Sequence, residues 1–102
     1  MMQKPDHVAA EEYLRAALER RPNHGEALVQ MSVLAYETGD NLRARAFMQR
    51  YLSSNMPTAS VLYHAILIEE KLGDDTARRQ YTLQLLRDFP DSAEAEQVRQ
   101  SG

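Results

Sequence analysis

Three histidines, several paired acids and a scatter of arginines are the residues of this chain that could do chemistry, and their spacing argues against most of it. His7, His24 and His64 stand 17 and 40 residues apart, with no i, i+4 pair and no cysteine beside them. That is not the ligand spacing of a structural zinc site, and His24 reads as a residue of a solvated turn. Glu11-Glu12, Glu69-Glu70 and Asp74-Asp75 resemble acid–base pairs. Adjacent residues on a helix point about 100° apart, however, so these read as caps or solvated faces. Arg15, Arg20, Arg21, Arg43, Arg45 and Arg50 are interspersed with Glu and Gln and read as ordinary surface. No nucleophile motif, phosphate-binding glycine loop or metal cluster is present, so neither enzyme activity nor a cofactor is expected.

Composition narrows the class further. The chain has 102 residues, one domain's worth, with 43% hydrophobic and 26% charged residues, ordinary for a globular protein. A net charge of −3 gives no case for nucleic acid. No segment approaches the roughly 20 apolar residues that span a bilayer, and Met1-Met2-Gln3-Lys4-Pro5-Asp6 shows no apolar h-region of a secretion signal. Without cysteine there are no disulfides, and the compartment stays open.

The elements that would position any site are helices. Asp6 is a candidate N-cap for a helix to about Arg21, with a stripe of Val8, Ala10, Leu14, Ala17 and Leu18, stopped by Pro22. Asn23 with Glu26 forms a capping-box pattern for a second helix, through Ala27, Leu28, Met31, Leu34 and Ala35 to Gly39. A third from Asp40 uses Leu42, Ala46, Phe47, Tyr51 and Leu52. Pro57-Thr58 opens a fourth, with Val61, Leu62, Ala65, Ile66, Leu67 and Ile68. A fifth follows Gly73-Asp74 through Tyr81, Leu83, Leu85 and Leu86 to Phe89-Pro90. Asp91 with Glu94 would cap a short, frayed last helix that buries only Ala95 and Val98. No strand pattern appears, and turns this short force antiparallel neighbours. The fold class is all-α.

Gly39-Asp40 and Gly73-Asp74 lie 34 residues apart, and Pro22 and Pro90 lie twice that. A period of 34 is that of the tetratricopeptide (TPR) repeat. Leu28-x2-Met31-Ser32-x2-Ala35 and Leu62-x2-Ala65-Ile66-x2-Glu69 occupy its first-helix slots, and Ala44-x3-Met48 and Ala10-x3-Leu14 its second-helix slots. Arg78 and Thr82 depart from it, standing in the small and aromatic slots of the last hairpin. The expected architecture is an α-α superhelix in a single domain, 1–102: a half repeat at 6–24, a full repeat at 25–57, a degenerate one at 58–90, and a capping helix and tail at 91–102. Since about three repeats are needed for stability, a longer array or a supporting partner is expected.

The chain also resembles the type IV pilus biogenesis/stability proteins called PilF or PilW, over the C-terminal half of such proteins. The resemblance rests on Glu11-Glu12-Tyr13-Leu14, on Leu34-Ala35-Tyr36, on Ala44-Arg45-Ala46-Phe47, on Gly73-Asp74-Asp75-Thr76-Ala77 with Tyr81-Thr82-Leu83-Gln84-Leu85, and on Phe89-Pro90-Asp91-Ser92. It implies a lipoprotein on the periplasmic face of the outer membrane that helps the pilus secretin to localise and assemble, anchored through a lipid-bearing cysteine upstream. Other envelope TPR lipoproteins share the Phe89 to Ala95 ending and give the alternative.

Such arrays line a groove with the first helix of each pair. The positions here are Glu26, Val29, Gln30, Val33, Tyr36 and Glu37, then Ser60, Tyr63, His64, Leu67, Glu70 and Lys71. Tyr36, Tyr63 and His64 over Val33 and Leu67 would suit an apolar partner segment; packing of the tyrosines between pairs is an equal alternative. A co-chaperone that clamps a C-terminal carboxylate would need several basic groove residues, and only Lys71 qualifies. Val8, Leu14 and Leu18, without a preceding helix to cover them, leave self-association through the first helix as a further expectation.

Overall fold

The computed structural model describes residues 5–101, with side chains described from residue 7. Six helices follow in order: α1 (Pro5–Arg20), α2 (Gly25–Glu37), α3 (Asn41–Ser54), α4 (Ala59–Leu72), α5 (Asp75–Asp88) and α6 (Ala93–Ser101). There is no strand among the described residues. The chain forms two compact units that divide between Met56 and Pro57. In the first, α2 packs against both α1 and α3; in the second, α4, α5 and α6 pack pairwise.

Each hairpin is made by the same turn. Gly39 and Gly73 adopt φ of 88° and 75°, which a Cβ would oppose. Asp40 donates its N–H to the Ala35 carbonyl and Gly39 to that of Tyr36; Asp74 and Gly73 do the same to Glu69 and Glu70. These are the two bonds of a Schellman ending, which satisfy carbonyls left over by the helix. The aspartates then accept from the backbone N–H of Arg43 and Ala77, so one residue closes one helix and opens the next.

The first helices of the pairs are capped elsewhere than expected. His24 Nδ1, not Asn23, accepts the N–H of Ala27 at 3.3 Å. Ser92 Oγ, not Asp91, accepts that of Ala95 at 3.0 Å, and Thr58 accepts that of Val61. His24, Thr58 and Ser92 are each 34 residues apart. The start of these helices is thus set by register: Ala27, Val61 and Ala95, the residues that donate to the caps, are all buried. Asn23 and Asp91 are better cappers than histidine, yet fall one residue short, inside the turn. Glu26 therefore receives the Gln30 side chain instead of closing a capping box. Asp6 falls inside α1 and is not its N-cap, and its side chain lies outside the described residues.

The apolar stripes also need correction. In α3 the buried face is Ala44, Met48 and Tyr51, while Leu42 is 67% exposed and Ala46 is exposed. In α5 only Leu85 is fully buried and Leu83 is exposed. Leu14 is covered after all, in a cluster with Ala27 and Met31 flanked by Ala17, Leu18 and Phe47, whereas Val8 and Ala10 are exposed. The second unit has its own core of Leu62, Ile66, Leu85 and Ala95, with Ala59, Tyr81, Leu86, Phe89 and Val98 packed on it.

Candidate functional site

The second unit holds a cavity of ≈540 Å³ at the junction of its three helices. Tyr63, Ile66, Leu67 and Glu70 supply the α4 wall, Arg78, Thr82 and Leu86 the α5 wall, and Gln97, Val98, Arg99 and Ser101 the α6 wall. Its origin is legible in the repeat. Thr82 stands where a repeat of this kind has a large residue, and its hydroxyl turns back to the Arg78 carbonyl at 2.8 Å. Arg78 stands in the small-residue slot; its guanidinium cannot enter an apolar core unpaired, and it stays at the rim, 3.8 Å from the exposed Asp75. In the first unit the same two slots hold Ala44 and Met48, at 0% and 2% exposure. There Ser32 reaches across from α2 to donate to the Ala44 carbonyl at 2.8 Å.

Of the groove positions on α4, the cavity brings together Tyr63, Leu67 and Glu70, with Tyr63 and Leu67 half-buried. His64, also half-buried, and Lys71, exposed, do not line it. On α2, Val29 and Gln30 line a shallower depression of ≈500 Å³ with Gly25, Glu26, Tyr51 and Asn55. A Cβ on Gly25 would lie 3.0 Å from Asn55 Oδ1 and 3.2 Å from the Tyr51 ring, so glycine allows this close approach of α2 to the end of α3. Val33 and Tyr36 are half-buried and Glu37 is exposed; none of the three lines that depression.

Several residues behave unlike their sequence reading. Glu69 is 3% exposed, no part of a solvated face. His24 is half-buried and structural, as α2's cap. Arg43 donates to Glu11 at 2.7 Å, tying α3 to α1, and Arg50 to the Pro22 carbonyl at 2.7 Å. Both guanidinium groups lie within 6 Å of the Phe47 ring, at 5.5 and 5.8 Å, a cation–π distance. Arg43 is half-buried in this contact, whereas Arg50 stays exposed, as a surface residue would. Sequence reading also passed over the α6 wall of the cavity, because Gln97 and Arg99 carry no pattern until a helix seats them.

Electrostatics add no sign of catalysis. Among the described residues the Asp88 carboxyl is held below its ordinary range by hydrogen bonds from Arg87, and both residues are exposed at the end of α5. No group of three or more His, Cys, Asp or Glu side chains among the described residues could hold a metal ion.

The tetratricopeptide repeat family pattern matches residues 1–66. The chain belongs to the tetratricopeptide repeat family. A search of curated proteins gives no match. Among solved structures, the chain is similar to PilW, described as a widely conserved type IV pilus biogenesis factor, with 26% identity and a TM-score of 0.84 over 91% of this chain and 43% of that one. It is also similar to PilF of Pseudomonas aeruginosa, with a TM-score of 0.83 over 94% of this chain and 43% of that one; at 23% identity this shows the shared fold. The chain thus spans less than half the length of either relative. It is a TPR protein-interaction scaffold similar to type IV pilus biogenesis factors. Proteins of this fold are generally non-catalytic and bind other proteins. No helix among the described residues is long and apolar enough to cross a membrane.

Proposed function

We propose that this chain is the interaction module of a type IV pilus assembly lipoprotein, held at the periplasmic face of the outer membrane by a lipid anchor elsewhere in the protein. There it supports localisation and assembly of the pilus secretin. The observation that carries this reading is the similarity to PilW over 91% of the chain. The partner is received on the first-helix faces of the two pairs. In the first unit these are Val29, Gln30, Val33, Tyr36 and Glu37; in the second, Tyr63, His64, Leu67, Glu70 and Lys71. Deleting the gene should abolish surface pili and pilus-dependent motility, and the purified chain should capture the secretin. Tyr63→Ala should weaken capture at least tenfold. Normal motility after deletion sinks the pilus reading in favour of another envelope scaffold; equal capture by the variant sinks the assignment of the α4 face.

Self-association is a second reading, favoured by Val8 at 44% and Tyr13 at 76% exposure on α1. Light scattering should then show mass rising with concentration, and Tyr13→Glu should suppress the rise. A strict monomer at millimolar concentration ends this reading.

A further inference from the structure

We infer that the cavity between α4, α5 and α6 is a socket for one aromatic side chain of a partner peptide, with an acidic residue next to it in that peptide. This rests on the reading of the chain as a protein-interaction scaffold and specifies the partner's chemistry. The case for the aromatic starts from the repeat: the slot at Thr82 is filled in the first hairpin by Met48, which is 2% exposed, and here a short side chain leaves the space open. The remaining volume, ≈540 Å³, lies within the range of small-ligand sites. Its floor is Ile66, Leu67, Leu86 and Val98, with Tyr63 presenting a ring for aromatic packing. A partner's aromatic side chain thus supplies from outside what the repeat omits from within.

The case for the acid is the charge of the rim. Arg78 and Arg99 stand on the α5 and α6 walls, against the single carboxylate Glu70 on the α4 wall. Arg99 is partly engaged, donating to the Pro90 carbonyl at 2.9 Å and pairing with the exposed Glu96 at 3.5 Å, so Arg78 is the main donor to an incoming carboxylate. Arg78 has only its 3.8 Å pairing with an aspartate whose side chain is 81% exposed, leaving guanidinium donors for a carboxylate. The polarity also orients the peptide: its acid faces α5 and α6, and any basic neighbour faces Glu70. A fatty acid or another apolar small molecule would match the floor but would not need both arginines together with an aromatic ring. A second copy of this chain would need an exposed aromatic next to an acid, as Glu12-Tyr13 offers, and is tested below.

The test uses three fluorescein-labelled twelve-residue peptides in a Gly/Ser background, with Phe-Glu-Glu, Ala-Glu-Glu or Phe-Gln-Gln at the centre. Polarisation titration and backbone amide spectra of the whole chain give affinity and location. The Phe-Glu-Glu peptide should bind, shifting Tyr63, Thr82 and Val98 resonances, and the other two should bind at least tenfold more weakly. Thr82→Phe should obstruct the socket beside Tyr63 and abolish peptide binding without lowering Tm. Arg78→Gln should erase the preference for Glu over Gln while leaving Tm unchanged. Equal binding of all three peptides, binding that survives Thr82→Phe, no binding by the unmodified chain, or displacement of the peptide by oleate but not by unlabelled Phe-Glu-Glu peptide each overturns the socket. So does peptide binding that appears only after Tyr13→Glu dissolves a dimer, since the occupant is then a second copy. Secretin capture that persists in Thr82→Phe would sink the socket and leave the pilus reading standing, whereas loss of capture by every surface variant with normal motility would sink the latter.

Discussion

Two hairpins built on the same 34-residue frame differ at one pair of packing slots, filled by buried Ala44 and Met48 in the first and held by Arg78 and Thr82 beside a cavity in the second. Leu28 and Leu62 both sit at 0% exposure, Met31 and Ala65 both at 1%, and Ala35 and Glu69 both at 3%. The turns match bond for bond, from the positive φ of Gly39 and Gly73 to the caps of Asp40 and Asp74. The difference lies in the second helix. Ala44 and Met48 seal α3 against α2, and Ser32 adds a buried hydrogen bond. At the same register Arg78 and Thr82 line a cavity, while α5 stays packed on α4 through Leu85. The lesson is that the backbone frame of such a pair tolerates loss of its packing slots, because turns and caps fix the hairpin independently. That tolerance leaves one slot pair available for the socket proposed above.

The sharpest way to break this comparison is truncation at the matched slot. Met48→Ala removes a buried side chain and should cost roughly 2–5 kcal/mol, whereas Thr82→Ala, at the edge of an existing cavity, should cost less than about 1 kcal/mol. Urea unfolding of both variants settles it, and equal losses would mean the second slot is as tightly packed as the first. Gly39→Ala and Gly73→Ala should lower stability by about 1–2 kcal/mol each, because both impose the left-handed conformation on a Cβ. At Gly73 a Cβ would meet nothing within 4 Å, so strain alone is measured there. Unequal costs would show that the two turns are not equivalent.

Caps sharpen the comparison with smaller effects. His24→Asp should gain up to about 1 kcal/mol, since a carboxylate caps better than an imidazole and suits the helix dipole. Ser92→Asp should change little, serine and aspartate being near equals there. Thermal melts distinguish the two, and a loss at His24 would assign that imidazole a role beyond capping. The smallest effect is at Asp88, whose carboxyl should titrate below its usual range by NMR and return to it in Arg87→Gln. A depressed carboxyl contributes above its unfolded value and loses that contribution as pH falls through the folded one. As both groups lie at the surface, the melting temperature should barely follow this titration.

Sequence by itself determined the helices, the hairpin turns and the period, because these depend on local chemistry: glycine at positive φ, aspartate at a helix start, and apolar residues at helical spacing. Only the tertiary structure decided which near-equivalent residue does each task. Asn23 has better capping chemistry than His24, and Asp91 is the equal of Ser92, but His24 and Ser92 stand where burial of Ala27 and Ala95 starts the helix. Leu42 and Leu83 are apolar enough for a core, yet packing of α3 on α2 and of α5 on α4 turned them to solvent. Arg43 and Glu69 carry the charges of surface residues and became structural through a distant partner or burial. The cavity was least legible of all, since empty space belongs to no residue. Thr82 and Arg78 marked it as departures from a pattern, but its walls exist only where three helices meet, and no local propensity records that.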